Sequence, residues 1–275
     1  MNGIRCSGDL HLGTSVKIGK NVEINCKEKL FIGDNSVIGD NVKINCTSFS
    51  AGDYLYMMDG SEVGRGGCNG PNSRVTIGNN VGIFERTIIN PSDEVTIGDN
   101  TGIGGEVMIW THGAWLDITQ GFPADFGPVH IGKNVWLPAR SIVLPNVNIG
   151  DNVVIGINSI INRDLPNGCF AAGSPCKVIK ENVYPRELKI EELENITDNI
   201  LKNWKELISF KKTNINFTVE NKAQYIFLNN ENKKTTYNIQ DKTMKGDSNP
   251  LSEDLRDYLR RRGIKIYTGG LFKSI

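Results

Sequence analysis

Ile131-Gly132-Lys133-Asn134-Val135-Trp136-Leu137 and Ile149-Gly150-Asp151-Asn152-Val153-Val154-Ile155 stand one behind the other and read alike. Around them an aliphatic residue returns at every sixth position, as Ile131, Leu137, Val143, Ile149, Ile155 and Ile161. Val135, Ser141, Val147, Val153 and Ser159 follow the first five, four positions later in each case. A period of six matches neither the 3.6 of a helix nor the alternation of a half-buried strand. It matches a coil of short strands joined by turns, three hexads to a coil, in which the aliphatic points inward onto its copy one coil below. Gly and Asn, frequent in the recurring Ile-Gly-x-Asn, tolerate unusual turn dihedrals.

The same phase runs back through Ile109, Ile103 and Ile97, then Ile89, Ile83 and Ile77, then Ile44, Ile38 and Ile32, then Ile24, Ile18 and Leu12. About six coils are expected, a prism about 29 Å tall at roughly 4.8 Å per coil. Every break in the period follows the third face of the prism: a two-residue excess before Ile32, a long insert before Ile77, a two-residue excess before Ile97 and a long insert before Ile131. One edge therefore carries all the elaboration, on the premise that residues 45–74 hide no further hexad. Loops on a rigid scaffold are where binding groups sit, so this edge is the candidate site.

Composition bounds the alternatives. The 275 residues, 39% of them hydrophobic, suffice for one large domain or two modest ones. Thirty-one basic residues balance 31 acidic ones, so no electrostatic footprint for nucleic acid or an anionic membrane surface exists. There is no run of 18 apolar residues and no secretory leader pattern at the N-terminus, and a cytoplasmic, non-membrane protein is expected. The six cysteines form no C-x-x-C pair, so small core residues are expected and no metal site.

The insert after Ile109 carries His112, one of three histidines. An ordinary neutral imidazole, titrating near pH 6.5, can take a proton from an attacking hydroxyl or amine. His130, just before an inward Ile, and His11, in the first coil, are expected to serve the surface. The shorter insert Asn90-Pro91-Ser92-Asp93-Glu94 should emerge beside the root of the His112 loop, because Ile89 and Ile109 are one coil apart on one face. Asn90, Asp93, Glu94 and Trp115 are thus candidates for holding a substrate. The two carboxylates are ordinary turn residues or, beside a reacting centre, groups that orient an amine. Tyr54 and Tyr56, in the 45–74 segment, either cover a sugar or base at the same edge or pack on a neighbouring subunit.

The prism, the His-bearing loop and the re-entry Pro128-Val129-His130-Ile131-Gly132-Lys133-Asn134-Val135-Trp136 together resemble the hexapeptide-repeat acyltransferases, in particular sugar acetyltransferases of the galactoside and maltose type. The likeness continues through Leu144-Pro145-Asn146 to Ala171-Ala172-Gly173-Ser174-Pro175-Cys176-Lys177, covers about residues 10–180 and is most specific over 107–180. The resemblance implies a left-handed parallel β-helix, a trimer with sites between subunits, and acetyl-CoA or another acyl-CoA as co-substrate without a metal. It implies His112 as the catalytic base. It also implies a coenzyme A track near Trp136, Ala139, Ser141 and Gly156 that runs toward Gly173, Lys177 and Lys180. Leu137-Pro138-Ala139-Arg140 departs from the small residues usual after the Trp.

The expected fold is mainly β, with the β-helix over 1–180 and a smaller α+β domain over 181–275. In the latter, Leu193, Ile196, Ile200, Trp204 and Leu207 fall at helical spacing. Three strand-like runs follow (214–219, 223–228, 235–240), then a helix over 252–262 ended by Gly263. The expected activity is transfer of an acyl group from coenzyme A to the amino group of a nucleotide-linked sugar. The alternatives are transfer to a sugar hydroxyl with His112 as base, and a non-catalytic β-helix that serves as an assembly module.

Overall fold

The computed structural model describes residues 3–211 and 215–275. The chain divides into two compact units, Met1–Pro185 and Arg186–Ile275.

The first unit is a parallel β-solenoid of about eight coils. Face 1 is read along Leu12, Ile32, Ala51, Ile77, Ile97, Ile131 and Ile149, each in register with the next. Face 2 runs through Ile18, Ile38, Met57, Ile83, Ile103 and Leu137. Face 3 runs through Ile24, Ile44, Val63, Ile89, Ile109, Val143 and Ile161. These inward residues form one continuous buried core.

The count exceeds the sequence expectation of six because a whole coil lies inside residues 48–63. Its face 1 position holds Ala51 where neighbouring coils hold Ile, and two residues earlier the buried Phe49 stands in register with Leu30 and Val75. The small Ala51 removes the aliphatic signal at the position that the period counts. Leu165 and Ala171 begin a last coil above Ile149 and Ile155. The stack is thus about 38 Å tall at ~4.8 Å per coil.

Gly and Asn of the repeat do different work. Asn134 and Asn152 hold the left-handed turn, with φ of 55° and 59°. Gly132 is needed for close approach: a Cβ there would sit 2.4 Å from Asp151 Oδ1 and 2.7 Å from the Gly150 carbonyl carbon of the next coil. Asp151 Oδ1 accepts a hydrogen bond from Lys133 N at 2.7 Å, and the same rung recurs where Asp34 accepts from Thr14 N and Asp99 from Asn79 N. Each coil's turn amides are thereby satisfied by the next coil's side chain.

The second unit holds α1 (Ile190–Phe210), a four-stranded antiparallel sheet and α2 (Pro250–Arg260). The strands are Phe217–Lys222, Tyr225–Asn230, Lys233–Asn238 and Thr243–Gly246; the last has no counterpart in the sequence reading. The expected start of the first strand, at Asn214, lies outside the described residues. Ile200, Leu201, Trp204 and Ile208 of α1 share a core with Val219, Ile226, Leu228 and Leu255. Asn249 caps α2 through a reciprocal pair with Ser252, and Gly263 past its end is left-handed at φ 79°. No helix among the described residues is long and apolar enough to cross a membrane.

Candidate active site

All the irregular segments stack at one corner, where face 3 turns into face 1. The hidden coil shortens the insert expected over 45–74 to a loop between Val63 and Arg74. Above it lie Asn90–Glu94 and then the segment from Thr111 to Pro128. Thr47 Oγ1 donates to Gly70 O at 2.7 Å and Lys27 Nζ to Asn69 O at 3.0 Å, which ties the lowest loop to the coils beneath. Ser92 Oγ donates to Gly67 O at 3.2 Å, which joins it to the loop above.

His112 sits at this corner, partly buried, in a two-residue antiparallel ribbon with Asp125–Phe126. The Phe126 ring stacks on the imidazole at 5.8 Å and 21°, and Trp110 meets it edge-on at 6.2 Å. His112 Nδ1 lies 2.9 Å from Asn90 Oδ1. Asn90 is fully buried, and its Nδ2 donates to Gly64 O at 3.0 Å and Gly66 O at 3.1 Å. Carbonyls only accept, so the amide nitrogen must face them and the amide oxygen must face the ring. In its neutral form His112 therefore carries its proton on Nδ1 and leaves Nε2 to accept, the tautomer a base requires.

Asn90 thus has a role the sequence reading did not assign: it orients the histidine. Gly67 is left-handed at φ 85°, and a Cβ there would lie 3.0 Å from Ser92 Oγ and in ordinary contact, at 3.5 Å, with His112 Cε1, so the backbone conformation and the Ser92 approach are what favour glycine.

Asp93 and Glu94 emerge beside the root of the His112 segment. Thr111 Oγ1 accepts from Asp93 N at 2.9 Å and donates to Asn90 O at 2.8 Å, so the residue before His112 stitches the two inserts together. Asp93 Oδ1 accepts from Glu94 N at 2.8 Å, an oxygen engaged in its own turn. Trp115 is 95% exposed, and Leu116, Ile118, Phe122 and Phe126 along the same loop are exposed too.

The residues expected along the coenzyme track lie elsewhere, at and beside the corner between faces 2 and 3. Asn158 N donates to Ala139 O at 3.1 Å, Ser159 Oγ to Gly156 O at 2.6 Å and Gly173 N to Ser159 Oγ at 3.0 Å, so Ala139, Gly156 and Gly173 rise one above another. Ser141 Oγ is buried with no hydrogen-bond partner. Trp136, 42% exposed, lies on face 2 over Gly102, where a Cβ would be 2.6 Å from its ring. Lys177 and Lys180 are exposed on the strand that closes this face. Arg140, the departure from the usual small residue, has φ 61° and pairs at 2.7 Å with Glu106, which also pairs with Arg86; the Arg140 contact, with that of Arg86, holds the Glu106 carboxyl below the ordinary range.

Two placements correct the sequence reading. Tyr56 belongs to a regular face 2 strand between Val37 and Gly82, and Tyr54 is a buried turn residue just before it with φ 57°. Neither lies in an insert at the elaborated edge, because the insert starts only after Val63. The other two histidines serve the surface: His130 Nδ1 is 2.8 Å from Thr96 Oγ1, and His11 stacks on Phe31 at 4.6 Å. Phe126 and the carbonyls of Gly64 and Gly66 complete the His112 surroundings without any sequence signal. Thr111 was legible only as the neighbour of a singled-out histidine.

Residues 128–163 match the family of the bacterial transferase hexapeptide (six repeats). Over 70 residues, 23% of this chain, the sequence is 43% identical to galactoside O-acetyltransferase of Escherichia coli, covering 34% of that protein. Over 133 residues, 47% of this chain, it is 38% identical to YJL218W of Saccharomyces cerevisiae, whose name assigns it provisionally to the acetyltransferases, covering 63% of that protein. The chain thus spans less than two thirds of the length of these relatives. Among solved structures, a point mutant of AntD, an N-acyltransferase from Bacillus cereus in complex with dTDP and coenzyme A, is 26% identical with a TM-score of 0.40, over 69% of this chain and 92% of that one.

Proposed function

We propose that this chain, a hexapeptide-repeat relative of the acetyltransferases, transfers an acyl group from acyl-CoA to a sugar hydroxyl, with His112 as general base. The observation that carries this reading is the Asn90–His112 pair, which leaves Nε2 as an acceptor. An alcohol needs such a base, because its oxygen attacks well only as the proton departs. An amine needs it less, and orienting carboxylates would matter more. The base that Asn90 orients moves the preference from the amino sugar expected from sequence to the hydroxyl.

In the reaction Nε2 takes the hydroxyl proton as the acceptor oxygen bonds to the thioester carbonyl carbon. Collapse of the adduct breaks the carbon–sulfur bond, and the proton passes to the leaving sulfur, giving an ester and free coenzyme A. Asn90 accepts from Nδ1–H throughout and stabilises the imidazolium.

The residues assigned to coenzyme A lie at and beside the corner between faces 2 and 3, and His112 at the corner between faces 3 and 1. The strands of face 3 separate them, so one chain does not complete the site. We assign the completion to neighbouring copies in a trimer. The loop from Trp115 to Phe126 exposes Trp115, Leu116, Ile118, Phe122 and Phe126, a concentration of large apolar side chains that marks an interaction surface. Trp136 and Ile157, exposed at 42% and 70%, offer an apolar counterpart on a second copy. The coenzyme A substrate is consistent with a cytoplasmic reaction.

The test is incubation with acetyl-CoA and a panel of sugars and amino sugars, read by thiol release and by product lability to hydroxylamine. Labile ester products that disappear in His112→Ala support the proposal. Stable amide products, made equally well by His112→Ala, would replace the hydroxyl acceptor with an amine.

A further inference from the structure

Face 3 below the candidate site is a groove of about 700 Å³. It crosses four strands of this face, from Ile4–Cys6 through those of Ile24, Ile44 and Val63, about 14 Å at ~4.8 Å per step. Its floor is a ladder of amides: Asn25 and Asn45 are in register, and Asn25 Nδ2 donates to Asn45 Oδ1 at 3.3 Å. Each amide keeps further donors or acceptors for a ligand. Along one side Glu23, Lys43 and Glu62 stand in register and alternate in sign, Arg5 is in register with Asn25 at the lower end of the amides, and Arg65 pairs with Glu62 at 3.0 Å. The upper end is Arg65, held at φ 83°. The carbonyl of its neighbour Gly66 accepts from Asn90 Nδ2, and Asn90 Oδ1 meets His112 Nδ1. The groove therefore ends where the loop that orients the base begins.

We infer that this groove binds the further units of an oligosaccharide acceptor whose reacting unit lies at His112. The inference rests on the sugar acceptor proposed above and narrows it to a chain of sugars. Three features select that ligand. The amides of Asn25 and Asn45, which both donate and accept, and the carboxylates of Glu23 and Glu62, which accept, lie on successive strands and suit the hydroxyls of successive pyranose units, since each hydroxyl offers both a donor and acceptors. The mixed rim disfavours a nucleotide diphosphate, whose charges would meet Glu23 and Glu62 as well as the cations. The continuity through Arg65, Gly66 and Asn90 ties the groove to the base itself.

The experiment uses the full chain with malto-, cello-, chito- and galacto-oligosaccharides of one to four units. Saturation-transfer NMR reads binding irrespective of turnover, and thiol release from acetyl-CoA reads transfer. Saturation transfer to the units beyond the first, with kcat/KM at least tenfold higher for three units than for one in the series that reacts, supports the inference. Lys43→Ala and Asn45→Ala are each expected to bring that ratio to within about threefold of unity, and Lys43, fully on the surface, guards against a folding defect. Transfer with no length dependence overturns the inference and leaves the sugar acceptor standing. No saturation transfer from any series overturns it regardless of turnover, as does displacement of the bound sugar by UDP without binding energy from the further units. Products that are amides of single amino sugars overturn both readings.

Discussion

The imidazole of His112 and the amide of Asn90, 2.9 Å apart, come from adjacent coils, and the amide is itself locked by two backbone carbonyls of a third segment. The base is therefore only as well oriented as the loop that follows Val63.

Removing the base should cost on the order of 10²–10⁴ in turnover. His112→Ala is expected to show that loss in kcat with acyl-CoA affinity changed less than about threefold. Asn90→Ala frees the ring and leaves the Gly64 and Gly66 carbonyls without their donor. It should lower kcat by more than tenfold and stability by about 1–3 kcal/mol. Denaturation and steady-state kinetics on the two variants separate these effects: a kcat for Asn90→Ala equal to wild type would remove Asn90 from the mechanism.

Trp115 tests the shared site. Native mass measurement should give three times the mass of one chain. Trp115→Ala should leave the thermal midpoint of the isolated chain unmoved, since a side chain 95% exposed contributes little there, while weakening assembly and lowering kcat/KM. A monomer with undiminished turnover would overturn the proposed trimer.

Ala51 tests the hidden coil. Ala51→Ile restores the repeat in sequence but adds bulk at a fully buried position in the same packed core as Phe49, and overpacking of this kind costs about 1–3 kcal/mol. Coupling it with Phe49→Val should recover most of the loss. Stabilisation by Ala51→Ile alone would show that the coil is not packed as described.

Asp254 gives the second unit a pH dependence. Burial pushes its carboxyl up, and hydrogen bonds from Lys211 Nζ, Trp204 Nε1 and Ile275 N, each at 2.8 Å, together outweigh that and hold it below the ordinary range. A depressed folded-state pKa contributes stability above the unfolded value, about 4, that is lost as the pH falls through the folded one. Wild-type unfolding of this unit should therefore become easier below about pH 4. Asp254→Asn should lower stability at pH 7 by about 1–3 kcal/mol, since the neutral amide loses the charge-assisted bond to Lys211, which is partly exposed and keeps Ser274 Oγ, and should flatten that acid limb. Calorimetry from pH 7 to 3 checks both.

The solenoid, its three faces and the one elaborated corner were legible in the sequence because an inward aliphatic every sixth residue is a local property of pleat and turn. It survives in Ile131, Leu137 and Val143 whatever lies one coil away. The same locality placed His112 and the Asp93 segment at a common corner, since both follow isoleucines of one face. Tertiary structure alone decided the rest. The coil holding Ala51 and Met57 escaped because its inward positions carry Ala and Met where the neighbouring coils carry Ile, which a pattern of branched aliphatics does not register. Tyr56 was misplaced for the same reason. Asn90 was legible as a residue of the corner but not as the partner that fixes a tautomer. That role depends on which atom of its amide faces the ring, and the choice is made by the carbonyls of Gly64 and Gly66, in a loop whose path no spacing encodes.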